Sequence, residues 1–267
     1  MEAVAVLQVA IPSRNTSMPR TSMPRAGAVL RDVSRAQALC SACNVRDKCL
    51  SADLDTDTTR QVEDLVTTRI RLRKGETLYR AGGSFTALYA IRSGSLKTVL
   101  LAEDGREQVA GYHMPGETVG LDGIGNDAHE CQAIALEDSE VCVLPFDRIE
   151  EVARDNAAFQ HNVHRYLSRE IGRQRTLMLL LGTMRADQRL AAFLLDLSQR
   201  YQARGYSSSE FILRMTREEI GSYLGLKLET ISRLLSRLQQ EGLIQVQGRV
   251  VKLLERTALR QLVGQSN

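Results

Sequence analysis

Apolar positions change their period twice along this chain. Between about residues 70 and 148 they fall in short runs: Thr77–Tyr79, Ala87–Ile91, Ser95–Leu101, Gln108–Tyr112, Gln132–Ala135 and Glu140–Leu144. Glycines at Gly75, Gly82, Gly83, Gly94, Gly105, Gly111, Gly116, Gly120, Gly123 and Gly125 punctuate them. Short strands at regular spacing with glycine turns predict an antiparallel barrel or jelly roll. From about Asn156 to Arg185 the period becomes helical. His164, Leu167, Ile171, Gln174, Met178 and Leu181 recur at alternating spacings of three and four, which is a coiled-coil seam. The run Leu177–Leu181 is too apolar to stay exposed, so the helix is expected to pair with a second copy across a two-fold axis. Gln174 is polar in mid-seam and is flanked by Arg173 and Arg175, each facing its own copy or nearly so. The dimer is therefore expected to be marginal, open to bias from a distant event and tightened by Gln174→Leu. Asp187–Arg200 reads as a further helix, followed by a loop containing Gly205.

The pattern in Thr216–Leu238 is the most informative. Thr216 and Glu219 form a capping box at the start of a short helix. Gly225 supplies a sharp turn at a positive φ that glycine adopts cheaply. A second helix follows, with Leu228, Ile231, Leu234, Leu235 and Leu238 on one side and Glu229, Ser232, Arg233 and Ser236 on the other. This is a helix-turn-helix. Arg233 can pair with guanine O6 and N7, Glu229 can accept from cytosine N4, and Ser232 can bond a base or a phosphate. Lys227 precedes the second helix where a Ser, Thr or Asp would cap better, which suits a phosphate contact. Gly242–Val246 and Val250–Leu253 flank Gln247-Gly248-Arg249 and read as a hairpin, the wing of a winged helix-turn-helix.

Composition adds limits. The chain has 267 residues, enough for two domains, and its net charge of +3 means that any basic surface is local. No apolar run approaches the ~20 residues that span a bilayer, and Ala3–Ile11 lacks the flanks of a secretory signal. Residues 1–35 carry the duplication TSMPR TSMPR and five arginines without apolar periodicity, so a disordered basic arm is expected there. The five cysteines are odd in number and do not form a disulfide scaffold; a reducing cytoplasm is the expected compartment. Three of them, Cys40, Cys43 and Cys49, have the spacing C-x2-C-x5-C in a polar segment. Three thiolates at that spacing suit zinc or an iron–sulfur cluster, both of which take about four ligands. No histidine is near, so Cys131 or Cys142 must complete the set, and spacing leaves the metal open. Alternation puts Cys142 on the face of its strand opposite Val141 and Val143. None of His113, His129, His161 and His164 lies in a metal or nucleophile motif, and no phosphate loop, dinucleotide fingerprint or nucleophile elbow is present, so an enzyme is not expected.

Barrel, long helix and winged helix-turn-helix in this order resemble the FNR branch of the CRP–FNR superfamily of bacterial transcription regulators. The residues that carry the resemblance are the cysteine cluster, Leu88–Lys97, Gln188–Tyr201 and Met215–Leu235. The resemblance implies an α+β fold. A double-stranded β-helix or jelly-roll sensor domain with the cysteine loop would span 36–155, a dimerisation helix 156–185 and a winged helix-turn-helix 186–267, with 1–35 as the arm. It implies an oxygen-labile [4Fe–4S] cluster on Cys40, Cys43, Cys49 and a barrel cysteine in a Val-Cys-x-x-Pro-Phe context, which here is Cys142 and leaves Cys131 as an extra thiol. It implies a homodimer paired through Leu167, Ile171, Gln174, Met178 and Leu181. It also implies that Glu229, Ser232 and Arg233 read a two-fold TTGAT…ATCAA site in double-stranded DNA, giving oxygen-responsive control of anaerobic genes. Ala102–Arg106 and Arg204–Ser207 match segments that contact RNA polymerase, and no membrane partner is implied. The branch often has an acid where this chain has Gln174. The alternatives are a related regulator with a zinc or thiol-redox site, a cyclic-nucleotide sensor, or an iron–sulfur enzyme. In a nucleotide sensor an arginine would follow Gly116-Glu117 to pair the phosphate, and Gly120–Ala135 contains none.

Overall fold

The computed structural model describes residues 31–33, 40–102 and 105–264. The arm expected over 1–35 lies outside these residues, except for Arg31–Val33, which form a strand, β1, rather than disordered chain. β1 pairs antiparallel with β2 (Thr68–Leu72) at a sheet edge, where backbone bonds suffice and no apolar pattern is needed. Between them lie the cysteine loop and α1 (Thr56–Leu65), capped by the Asp55 side chain at Thr58 N.

The strands expected between residues 70 and 148 form two facing antiparallel sheets. β3 (Thr77–Tyr79), β4 (Ala87–Ser93), β5 (Leu96–Leu101), β6 (Glu107–His113), β7 (Thr118–Val119), β8 (Gln132–Ala135) and β9 (Ser139–Pro145) order as β1-β2-β9-β4-β7 and β3-β8-β5-β6. Leu72, Ile91, Leu96, Val119, Ala133 and Val141 fill the space between the sheets. α2 (Phe146–Asp155) follows, and Asn156 then caps Phe159 N to start the long helix α3 (Ala157–Thr183). Phe159, fully buried, and Tyr166 hold α3 against the roll, where the Tyr166 hydroxyl accepts from Thr118 N at 2.6 Å.

Two extended residues, Met184 and Arg185, separate α3 from α4 (Ala186–Gln202). The loop expected before the helix-turn-helix contains a strand, β10 (Glu210–Ile212), which pairs with the second strand of the hairpin. α5 (Arg217–Leu224) begins at the Thr216–Glu219 capping box, with both bonds present, and ends at Gly225 with φ 63°. α6 (Leu228–Gln240) starts at Lys227, whose side chain makes no cap bond. β11 (Ile244–Gln247) and β12 (Val250–Leu253) form the wing hairpin, and α7 (Arg256–Gly264) closes the chain against α4.

This C-terminal half is packed on the outer face of β5 and β6. Val99, Val109, Tyr112 and Met114 share one apolar cluster with Phe193, Leu197, Ile220 and Leu224. Lys97 Nζ meets Glu219 at 2.7 Å, and Val109 N donates to Ser222 Oγ at 2.9 Å. Glu219 thus serves both the cap and the contact between halves. Thr216→Ala removes the cap acceptor and is expected to cost about 1 kcal/mol, read as a lower urea midpoint at unchanged slope.

Candidate functional site: a four-cysteine cavity and a DNA-reading helix

The cysteine loop is wound by successive backbone bonds: Cys43 N to Cys40 O, Arg46 N to Cys43 O and Cys49 N to Arg46 O, each 3.1 Å, around a 3₁₀ turn at Arg46–Lys48. Neighbouring helices hold it in place. Ser41 N donates to Glu63 of α1 at 2.7 Å, and Arg46 reaches Leu54 O and Thr59 Oγ1 at 3.0 and 3.2 Å. From α3, Asn162 Nδ2 donates to Ala52 O at 3.1 Å and to Leu50 O.

Cys142 lies on β9 opposite Ala90 of β4 and Arg69 of β2. Val141 points into the inter-sheet core and Cys142 toward the loop, as strand alternation requires. Cys40, Cys43, Cys49 and Cys142 all line one cavity, together with Val62 and Arg92. Among the described residues, no three His, Cys, Asp or Glu side chains gather closely enough to hold a single metal ion. Burial, reinforced by the neighbouring Cys49 and Cys142, pushes the Cys40 thiol up to about 12. Burial also raises Cys49 to about 11 and raises Cys142, where Arg69 and Arg92 oppose it. Cys40, Cys49 and Cys142 therefore resist ionising in this cavity, and bound cations would relieve that resistance. Cys131 is elsewhere, in the inter-sheet core, where its thiol donates to Asp122 Oδ2 at 3.2 Å.

On α6, Ile231, Leu235 and Leu238 are buried while Glu229 and Arg233 are exposed and Ser232 is half-buried. The polar face of α6 is thus free of the roll. Arg217 Nη1 touches Ser232 Oγ at 3.3 Å, and Arg249 of the wing is exposed and bonded to Arg214 O. In the α3 seam, Ile171, Gln174 and Met178 are exposed and Leu167 and Leu181 half-buried. Of the two segments matched to polymerase contacts, 102–106 is the β5–β6 turn, of which Glu103 and Asp104 lie outside the described residues. Arg204, at the start of the second segment, is not on the surface. Its guanidinium is turned inward onto Glu117 Oε1 at 2.6 Å, which leaves Tyr206 and Ser207 outside.

Two residues that the sequence reading passed over organise the junction. Arg189 donates to Leu181 O and Met184 O at the end of α3 and to Leu224 O at the end of α5, at 2.7, 2.9 and 3.1 Å, so one side chain caps both helices. Glu117 is buried among three arginines. The position of Arg189 within the Gln188–Tyr201 motif marked the first, and the Gly116-Glu117 dipeptide drew notice only for the segment after it, not for the arginines that Glu117 holds.

Comparison with known proteins agrees with this arrangement. The cyclic nucleotide-binding domain family matches residues 69–156, and the Crp-like helix-turn-helix domain family matches residues 188–262. The chain is 47% identical to the transcriptional regulatory protein btr of Bordetella pertussis, over 86% of this chain and 95% of that protein. It is 40% identical to the fumarate and nitrate reduction regulatory protein of Escherichia coli, over 84% and 90% respectively. The solved structure of FixK2 from Bradyrhizobium japonicum aligns with a TM-score of 0.69 at 30% identity, covering 75% of this chain and 98% of that one. With both domains matched and relatives at these identities along nearly their whole length, the chain belongs to the FNR branch of the CRP–FNR superfamily and is a DNA-binding transcription regulator rather than an enzyme.

Proposed function

We propose that the protein is an oxygen-responsive regulator of anaerobic gene expression in the cytoplasm, holding a [4Fe–4S] cluster on Cys40, Cys43, Cys49 and Cys142 and binding a two-fold TTGAT…ATCAA site as a homodimer. The observation that carries this reading is the cavity shared by four thiols from two segments far apart in sequence. The donor set is all sulfur, which such a cluster takes. A mononuclear zinc ion, which also takes four thiolates, is the alternative that iron content decides. A cyclic nucleotide is less well served: Gly120–Ala135 offers no arginine for its phosphate, and Asp122 and Glu130 lie in that segment instead.

When held, the cluster supplies iron–sulfur chemistry that oxygen can dismantle. The remaining roles belong to the chain. The four thiolates would tie the loop to β9, and Asn162 links that loop to α3. Paired α3 helices would set two α6 helices about one DNA turn apart. Glu229, Ser232 and Arg233 would then read the bases, and the β5–β6 turn with Tyr206 and Ser207 would face RNA polymerase.

The test is the visible spectrum of anaerobically prepared protein, followed as air is admitted, alongside a shift assay on the TTGAT…ATCAA duplex. A band near ~420 nm that bleaches while DNA binding falls is expected. A protein that stays colourless after treatment with iron and sulfide would sink the cluster and leave only DNA binding. Arg233→Ala is expected to cost about 1–3 kcal/mol of discrimination at a single base pair, measured by comparing affinities for the parent site and point-substituted sites.

A further inference from the structure

Glu117 lies where the cysteine loop, the long helix and the DNA-binding half meet. It is 4% exposed. Its Oε2 receives Arg200 Nη2 at 2.7 Å and Arg173 Nη1 at 3.3 Å, and its Oε1 receives Arg204 Nη2 at 2.6 Å. Arg173 is on α3, Arg200 is on α4, and Arg204 is just beyond the end of α4. Arg200 also donates to Tyr112 O at 2.7 Å and Arg204 to Pro115 O at 2.8 Å, so the end of α4 is fastened to the end of β6 and the turn that follows it. Met114 N donates to Glu117 Oε2 at 3.1 Å and fixes the carboxylate from its own turn. Burial opposes charge on Glu117, but Arg200, Arg173 and Arg204 together hold its carboxyl down at about 2.

The other side of the same dipeptide faces the cysteines. Gly116 has φ +87°, and a Cβ there would lie 2.5 Å from Lys48 Cβ and 3.3 Å from Val45 O. The 3₁₀ turn between Cys43 and Cys49 thus rests directly on the Gly116 backbone. Gly116 N donates to Ile91 O at 2.7 Å and Ile91 N to Glu117 O at 2.8 Å, and Ile91 with Arg92 lines the four-cysteine cavity. One residue touches the loop and the next holds three arginines of the effector helices.

A buried ionic cluster is a costly way to stabilise a fold, since apolar groups of similar volume often do as well or better. It does fix relative position, because its geometry is specific. The part it fixes adjoins a break in the helices: the extended Met184 and Arg185 separate α3 from α4, and besides them Arg189 of α4 reaches Leu181 O at the end of α3. We propose that Glu117 is the positioning residue that carries the state of the cysteine loop to the DNA-binding half. The seat of the loop on Gly116 sets the carboxylate, and the carboxylate sets the pose of α4 against α3 through Arg173, Arg200 and Arg204. What moves the loop rests on the cluster reading above; the hold on α4 does not.

The experiment uses the full chain carrying Glu117→Gln, treated anaerobically with iron and sulfide, with the TTGAT…ATCAA duplex as probe. Iron content and absorbance report loading. Anisotropy reports DNA affinity before and after air, and trypsin reports cleavage after Arg185. The variant is expected to load iron like the parent, to lose about tenfold or more of the ratio between loaded and air-treated affinities, and to be cut faster after Arg185. A loaded variant that keeps the parent's ratio overturns the proposal. Should Glu117→Gln fail to fold, Arg204→Gln leaves Glu117 paired with Arg173 and Arg200 and is read by the same two criteria. A parent that takes up no cluster defeats the cluster reading instead. The cleavage rate then decides, and a rate equal to the parent's overturns the proposal.

Discussion

Cys142→Ser is expected to give a folded protein that remains colourless after anaerobic treatment with iron and sulfide and whose DNA affinity no longer responds to air. The change is nearly isosteric, and Cys142 is half-buried on the loop-facing side of β9 rather than in the inter-sheet core, so little packing is lost. On the proposed cluster reading, what goes is a sulfur ligand. A serine hydroxyl does not ionise near neutrality and cannot replace a thiolate among four. On that reading the loop that carries Cys40, Cys43 and Cys49 would lose its tie to β9. Cys131→Ser is the control. Its sulfur is bonded to Asp122 within the core and does not line the cavity, so colour is expected to persist. Iron content and the ~420 nm absorbance of the two variants decide between the assignments. Full parental colour in Cys142→Ser, with colour lost in Cys131→Ser, would move the fourth ligand and the whole placement of the loop.

The contrast between these two cysteines shows what could be read from the sequence. The three loop cysteines are visible because their spacing is local, and the side to which Cys142 points follows from alternation about Val141. Joining the loop to β9 is a matter of tertiary structure, which in the sequence came only through a resemblance. The helix-turn-helix was legible for the same local reason. Thr216, Glu219 and Gly225 act over three to nine residues, and the apolar face of α6 has a clean helical period. α1 was not legible, because its buried face is Thr58, Thr59, Val62 and Leu65, half of it polar, so no amphipathic period stands out. β2 was missed although Arg69 and Arg71 alternate with Ile70 and Leu72, the period of a half-buried strand, and β10 because three residues do not establish a period. Glu117 and Arg204 are 87 residues apart, and neither has a neighbour in sequence that predicts the pairing. Nothing in the sequence therefore marked Arg204 as an arginine whose charge is neutralised inside.

Ile171→Glu is expected to convert the protein from dimer to monomer and to weaken binding to the two-fold site by about 10²–10⁴-fold, the gain ordinarily supplied when two linked modules bind together. The argument starts from the two sides of α3. Phe159 and Tyr166 face the roll and are buried, whereas Ile171 is 54% exposed, Met178 73% and Leu179 59%. Large apolar side chains lying along a 3.5-residue seam on the outer side of a 27-residue helix match a surface built for a second helix. A glutamate at position 171 faces its own copy across a two-fold axis, so two carboxylates would be desolvated together without a cation. It leaves α6 untouched, and a single half-site should still bind with unaltered base preference. Sedimentation velocity gives the oligomeric state, and anisotropy on full-site and half-site duplexes separates lost dimerisation from lost recognition. Gln174→Leu acts in the opposite sense, replacing the polar position of the seam by an apolar one, and is expected to lower the dimer dissociation constant and make binding less dependent on the cluster. An Ile171→Glu protein that still sediments as a dimer would place the interface on another face of the molecule, and the spacing of the two α6 helices would then have to be set by something other than α3.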